Sequence, residues 1–326
     1  SAALAFDTDG DGRLDSLRKM EMLADAVLAA CDRTDGIKDG VIDDPARCDF
    51  DPGRDLAALR CTGDKDADGC FTTAQIQTVR DFHAGPRDSA GRQIYAGKPM
   101  GSESQWPGLF IPHPGNRFAP GAVGLGGDHL NYLFYDEDPG VAPANLLDTS
   151  GAVDAAGLPP EWAWWNFDIN DVSAGKGDVM SRITDATDPD LSRFLVENDG
   201  KLLLYHGWAD ALVVPQPTLA YYHDVVETTF GGDMSASRER ARLFMVPGMG
   251  HCRGGNGPDT WDRLRPLVDW VERGLAPDAL IATHQTDGVV DNERPVCAVP
   301  QRAVYTGPAG GADDPVNWVQ GNFTCQ

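Results

Sequence analysis

The chain has 326 residues, 41% of them apolar and 8% aromatic, and its 50 acidic against 27 basic side chains give a formal net charge of −23. That charge excludes nucleic acid and anionic membrane as partners, because phosphate binding needs concentrated Lys and Arg, and it disfavours a highly anionic polymer as substrate. The length suffices for a full core and no apolar run approaches the roughly 20 residues that cross a bilayer, so the sequence reads as a soluble globular protein.

Taken in chain order, the first feature is Asp7-Thr8-Asp9-Gly10-Asp11-Gly12, which places Asp and Gly as an EF-hand loop does. Its twelfth position is Arg18 where a bidentate Glu is expected, and in a second such run, Asp64-Lys65-Asp66-Ala67-Asp68-Gly69, it is Gln75. A surface turn explains either run as well as a cation site does. Residues 20–32 read as a helix through Met22, Leu23, Ala26, Val27 and Ala30, leading into a loop with Asp32, Asp35 and Asp39 interrupted by Gly36 and Gly40. From there to about residue 190 the chain is rich in Gly, Pro, Asp and Trp and has few long periodic segments. The remainder is regular. Lys201-Leu202-Leu203-Leu204-Tyr205 is a continuous run, as expected of a parallel strand covered on both faces, and Asp210 lies on the loop leaving it. Residues 216–230 read as a helix, 241–246 as a second strand, and His251 lies on its exit loop. A closing helix repeats Trp261, Leu264, Leu267, Val268 and Val271 at helical steps before Gly274 and Pro277 stop it.

Strand, acid loop, helix, strand, base loop, helix is the order in which an α/β-hydrolase presents the second and third members of its Ser, Asp, His triad. His251 would take the proton from a nucleophilic serine and return it to the leaving alcohol, and Asp210 would hold the imidazole tautomer. On spacing alone, a capping Asp and a structural His account for the two residues equally well.

Longer stretches carry a resemblance: Cys31-Asp32 through Asp35-Gly36-Ile37-Lys38-Asp39-Gly40-Val41-Ile42 to Cys48, then residues 200–210 and 242–252, with Trp270-Val271-Glu272-Arg273-Gly274 and Arg294-Pro295-Val296-Cys297. Across nearly its whole length the chain resembles the tannase and feruloyl esterase family, which includes chlorogenate hydrolases and the esterase of mono(2-hydroxyethyl) terephthalate. The resemblance implies a serine carboxylesterase acting on esters of aromatic acids, with Asp210 and His251 as acid and base. It implies an α/β fold: residues 196–326 as the C-terminal part of an α/β-hydrolase core, and residues 1–195 as a large irregular lid domain whose first twenty or so residues belong with the core. It also implies Ca2+ held by Asp32, Asp35 and Asp39 with the carbonyls of Ile37 and Val41. A solvated acidic turn is the simpler reading of that loop.

The family's nucleophile is a serine preceded by cysteine, and no Cys-Ser or Gly-x-Ser-x-Gly occurs here. Ser102, Ser150 and Ser173 have a glycine nearby but lack a strand-to-helix elbow, and Ser1 has no activating surroundings. The nucleophile and the oxyanion-hole donors are therefore expected from a segment outside this chain. The cysteines agree, being seven. The resemblance pairs Cys31 with Cys48, Cys61 with Cys70, and Cys297 with Cys325, leaving Cys252 for a cysteine outside the chain; a buried free thiol is the alternative. Six pairable cysteines favour an oxidising compartment, either secreted or periplasmic.

Aromatic residues on the irregular segment could line an aryl pocket: Trp106, Tyr132, Phe134, Tyr135, Trp162, Trp164, Trp165 and Phe167. Trp106, beside the glycine-rich stretch at Gly101, is the first candidate for substrate contact, because family lids place a tryptophan there. His206, four residues before Asp210, is the second, with a structural histidine at a strand end an equal reading. Two other classes remain open. One is a calcium-dependent binding module with a vestigial triad; the other is a zinc hydrolase, for which the seven histidines offer no His-x-x-x-His spacing.

Overall fold

The two apolar runs pair as a parallel ladder. In the computed structural model, which describes residues 5–6, 17–111, 113, 121–134 and 167–326, β1 (Leu202–Gly207) lies beside β2 (Ala241–Val246), with Leu202 opposite Ala241 and Gly207 opposite Val246. Between them runs α4 (Gln216–Phe230), started by Pro217 and stopped by Gly231 in the left-handed conformation. The expected helix and strand are found at the positions read from the sequence. Tyr222 on α4 donates its hydroxyl to the carbonyl of Ala241, at 3.2 Å, and so ties helix to strand.

β2 is buried at every residue. Leu243 and Met245 face Tyr222, Val225 and Val226 of α4. Phe244 and Val246 point to the other side, among Leu280, Ala282, Val296 and Ala298. That second layer comes from an antiparallel hairpin, β3 (Ala279–Thr286) and β4 (Val289–Cys297), joined to β2 by a bridge between Phe244 and Ala298. A small pair, β5 (Ala303–Tyr305) and β6 (Phe323–Cys325), follows. β1 differs from expectation: it is only half-buried, and Tyr205 is exposed. Its reason is pairing on one edge alone, since among the described residues β2 is its single partner. The closing helix, α5 (Arg265–Arg273), begins later than Trp261, because Pro266 sets its first turn.

Two units divide the chain. One comprises Ser1–Leu23, Asp51–Lys98 and Glu103–Ala186, and the other Ala24–Phe50, Pro99–Ser102 and Thr187–Gln326. The aspartate loop, expected within an N-terminal lid, thus packs with the C-terminal unit. Two contacts explain this: Ile37 is buried with Cys297, Ala303 and Phe323, and Arg294 of β4 pairs with the loop's carboxylates. α1 (Arg18–Cys31) is the predicted first helix.

In the first unit α2 (Thr73–Ala84) opens on a reciprocal cap, Thr72 accepting from the N–H of Gln75 while the Gln75 side chain accepts from that of Thr72. The residue that fails the EF-hand pattern is therefore a helix cap. Asp66 of that loop pairs with the buried Lys19 ammonium, and Asp64 accepts from Thr73 N–H at 2.6 Å, so the positive charge at this loop is a lysine. Asp7 to Gly12 lie outside the described residues, as do Ser1, Ser150, Tyr135, Trp162, Trp164 and Trp165. α3 (Gly121–Tyr132) belongs to the same unit.

The three expected disulfides, Cys31 to Cys48, Cys61 to Cys70 and Cys297 to Cys325, are all formed. Cys252 is outside them and exposed.

Because Leu243 is fully buried between β2 and α4, and β2 is covered on its other face as well, truncating it leaves a cavity that the packed layers cannot readily close. Leu243→Ala is expected to lower the unfolding free energy by about 2–5 kcal/mol, read from the midpoint of urea denaturation.

Candidate active site

Acid and base meet where β1 and β2 end. After β1 the chain turns at Gly207, and the amides of Trp208 and Ala209 donate to the carbonyls of Val246 and Met249 at 2.8 and 3.0 Å. The contact is so close that a Cβ on Gly207 would lie 2.2 Å from the Met249 oxygen, which only glycine permits. The two exit loops are thereby laced together, and Asp210 and His251 face each other.

Asp210 is 3% exposed. One carboxylate oxygen accepts from the amides of Leu212 and Val213 at 2.9 and 2.8 Å, an Asx turn that fixes its rotamer. The other oxygen is 2.9 Å from His251 Nδ1 and 3.4 Å from His206 Nε2. Burial opposes ionisation of Asp210, but the bonds from His206, His251 and Val213 outweigh it and hold the carboxyl below the ordinary carboxylate value. An ionised Asp210 requires His251 to carry its proton on Nδ1, which leaves Nε2 with a free lone pair. The His251 side chain is 45% exposed, and among the described residues no hydroxyl is bonded to Nε2. The imidazole is thus oriented by a buried carboxylate on a half-exposed side chain, with Nε2 free to accept a proton.

His206 is placed beside this pair, but both of its nitrogens are committed. Nε2 is 2.8 Å from the carbonyl of Val213 and Nδ1 is 2.8 Å from the hydroxyl of Thr218. Since a carbonyl only accepts, Nε2 carries the proton and Nδ1 accepts from Thr218. His206 thus braces the acid loop against α4, the structural one of the two readings open to a histidine at a strand end. Trp106 belongs to the first unit, where it is fully buried with its ring 5.0 Å from Phe82 and 5.2 Å from His83. Phe134 and Phe167 stack edge to face at 5.0 Å in the same unit. Of the glycine-flanked serines, Ser102 is buried and donates to the Pro99 carbonyl at 2.6 Å, and Ser173 donates to Asp88 at 2.7 Å.

The base loop is held from several directions. Gly250 donates to the Gly254 carbonyl at 2.7 Å, Met249 bridges Gly255, and Arg263 donates to the Cys252 carbonyl at 3.0 Å. Cys252, next to the base, has φ +63, a left-handed conformation uncommon for any residue with a side chain.

The aspartate loop turns its carboxylates inward on its own amides. Asp32 accepts from the amides of Asp39 and Gly40, Asp35 from Ile37 and Asp39 from Val41. Burial and the neighbouring Asp39 push the Asp32 carboxyl up to about 6. Arg294 lies among Asp35, Asp39 and Asp43 at 3.3, 3.6 and 3.9 Å, itself fully buried. Four carboxylates against one guanidinium leave an excess of negative charge in hard oxygen donors, which fits calcium in type and charge. Among the described residues no three acidic, imidazole or thiol side chains converge at ligand spacing, so backbone carbonyls such as those of Ile37 and Val41 would have to complete the sphere.

Because the Asp210 carboxyl is more acidic folded than unfolded, it contributes stability above its ordinary value, and that contribution is lost as pH falls through the lower folded value. Asp210→Asn is therefore expected to flatten the acid limb of a plot of unfolding free energy against pH, while leaving the slope near neutrality unchanged.

The chain is similar to known proteins in sequence and in fold. The family model described as "Tannase and feruloyl esterase" matches residues 1–317. The mono(2-hydroxyethyl) terephthalate hydrolase of Piscinibacter sakaiensis is 33% identical over 94% of this chain and 51% of its own length. A probable feruloyl esterase B-2 of Aspergillus terreus is 29% identical over 89% of this chain and 51% of its own. The crystal structure of feruloyl esterase B from Aspergillus oryzae superposes over the whole of this chain and 59% of that one, with a TM-score of 0.69 at 22% identity, and so shares the fold. The chain spans about half the length of the curated relatives it matches. By its sequence, this chain belongs to the tannase and feruloyl esterase family.

Proposed function

We propose that the chain is the acid and base portion of a serine carboxylesterase that hydrolyses esters of aromatic acids, of the galloyl, feruloyl, chlorogenic or terephthalate monoester kind. The observation that carries this reading is the 2.9 Å bond from His251 Nδ1 to a buried Asp210, with Nε2 turned outward. A serine from a segment outside this chain loses its proton to Nε2 as it attacks the ester carbonyl. His251 then protonates the departing alcohol and activates the water that frees the acid from the acyl-enzyme, and Asp210 stabilises the imidazolium in each step. The same segment supplies the oxyanion hole. The half-buried β1 supports such an arrangement, because its outer edge has room for a further strand.

The finer assignments follow from family likeness. Residues 196–326 form the C-terminal part of the hydrolase core and the irregular segment before them contributes the lid. Cys252, exposed and next to the base, bridges to a cysteine beside the nucleophile, so that one disulfide joins the two catalytic segments. Disulfides and the fungal feruloyl esterase relatives support a secreted or periplasmic protein. Ca2+ is held by Asp32, Asp35 and Asp39 with the carbonyls of Ile37 and Val41, and its part is to brace the loop against β4.

Two experiments test this. Native material is expected to hydrolyse methyl ferulate or methyl gallate, to lose that activity in His251→Ala, and to lose about 10⁴-fold in Asp210→Asn. Intact mass is expected to show a second segment released only on reduction. An active lone chain would place the nucleophile within these residues, whereas inert assembled material would favour the calcium-dependent binding module. For the metal, adding Ca2+ to a hundredfold above its dissociation constant is expected to raise unfolding free energy by about 2.7 kcal/mol. Asp39→Asn removes that increment if the loop is the site.

A further inference from the structure

The C-terminal unit contains a cavity of about 220 Å³ apart from the acid and base pair. Its lining has two characters. Trp208, Leu219, Met245, Val299 and Pro300 form an apolar wall, and the first four belong to the packed layer between the sheet and α4. The ionisable lining consists of Asp43, Asp44, His223 and Arg302.

These four groups lie at different depths. Asp43 is only 5% exposed, and no hydrogen-bond donor reaches its carboxylate among the described residues. Its nearest cation is Arg294, 3.9 Å away and already shared with Asp35 and Asp39. A buried carboxylate with unused acceptor capacity is costly unless something donates to it. Asp44 stands beside it, with one oxygen capping the amide of Ala46 at 3.0 Å. Arg302 is exposed, so it belongs to the mouth. Its backbone is pinned by a reciprocal pair of 3.0 Å bonds with Gln326, yet its guanidinium has no ion pair among the described residues. His223 is also exposed at the mouth. The cavity is thus negative at depth, apolar along its side and cationic at its opening.

We propose that this cavity binds a small zwitterion with an apolar body, of the apolar α-amino acid class. The ammonium donates to Asp43 with Asp44 beside it, the apolar side chain lies against Trp208, Leu219 and Met245, and the carboxylate meets Arg302. A plain cation would satisfy Asp43 but would leave Arg302 opposing it. A plain carboxylic acid would satisfy Arg302 and leave the buried Asp43 without a donor. The volume is below the roughly 300–1,000 Å³ of pockets for drug-sized ligands, which limits the occupant to a molecule of this size. Neither Asp210 nor His251 lines the cavity, so the proposal stands apart from ester hydrolysis.

Calorimetric titration with three probes tests it: L-phenylalanine, phenethylamine and 3-phenylpropionate, which share the apolar body and differ in their charged ends. Saturable binding of phenylalanine at about 1 mM or tighter is expected, with each one-ended probe at least about tenfold weaker. Arg302→Gln changes an exposed side chain and is expected to weaken phenylalanine about tenfold while leaving phenethylamine no weaker than before, since the lost guanidinium opposes an ammonium. Asp43→Asn is expected to weaken both amines and to leave 3-phenylpropionate unchanged, in protein whose circular dichroism matches the parent. The proposal fails if phenylalanine gives no saturable heat up to about 10 mM. It fails equally if 3-phenylpropionate binds as tightly as phenylalanine, or if Arg302→Gln has no effect. Activity on methyl ferulate is assayed separately, and its presence or absence bears on none of these outcomes.

Discussion

The register of β1 against β2 is the constraint on which the site depends. Pairing Gly207 with Val246 brings both strands to their ends at the same level, so the loops that leave them must run side by side. Three residues after Gly207 comes Asp210, and five after Val246 comes His251. Parallel ladders fix this register through side chains that alternate between two buried faces, and a slip of one residue would exchange them. On β2 such a slip would turn Leu243 and Met245 away from α4 and carry the base loop past the acid. Packing of the core and alignment of the acid with the base are therefore one requirement.

A second requirement sits beneath the first. Arg294 is fully buried, and a guanidinium in that position is tolerated only with anionic partners. The loop after α1 provides them in Asp35, Asp39 and Asp43, and the ring of Phe323 on β6 covers the cation from another side at 4.8 Å. One side chain on β4 thus gathers the aspartate loop and the C-terminal strand pair. Asn292, two residues earlier, donates to Asp39 at 3.1 Å and strengthens the same attachment. This is why residues 24–50 pack with the C-terminal unit although they precede the irregular segment in the chain.

Periodicity made the regular elements legible. The runs at 201–205 and 241–246 and the helix at 216–230 needed no tertiary information, because a continuous apolar run and a Pro to Gly span each leave a local pattern. Asp210 and His251 were legible as residues following strands. What was not legible is what their neighbours do. His206 reads as a candidate for substrate contact by proximity in sequence, yet Thr218 and Val213 take both its nitrogens. Thr218 lies on a helix whose rotation about the strand is a tertiary fact. Gln75 reads as a failed calcium ligand, although Thr72 three residues earlier carries the signal of a helix cap. Arg294 gave no signal of burial, since its partners lie some 250 residues away.

The base loop shows what these constraints cost locally. Cys252 adopts φ +63, and a side chain in that region typically costs about 1–3 kcal/mol unless the surroundings impose it. Here they do. A Cβ on Gly255 would fall 2.1 Å from the Gly248 oxygen, so the two limbs of the loop touch backbone to backbone and leave the connecting residues no extended alternative. Arg263, stacked 4.8 Å over Trp261, takes the Cys252 carbonyl and closes the turn from outside. The strain at Cys252 is the consequence of holding His251 against a buried aspartate while its far nitrogen faces solvent. A relaxed turn would allow the imidazole to swing away, and the Asp210 carboxylate would then remain buried without the bond that favours its charge.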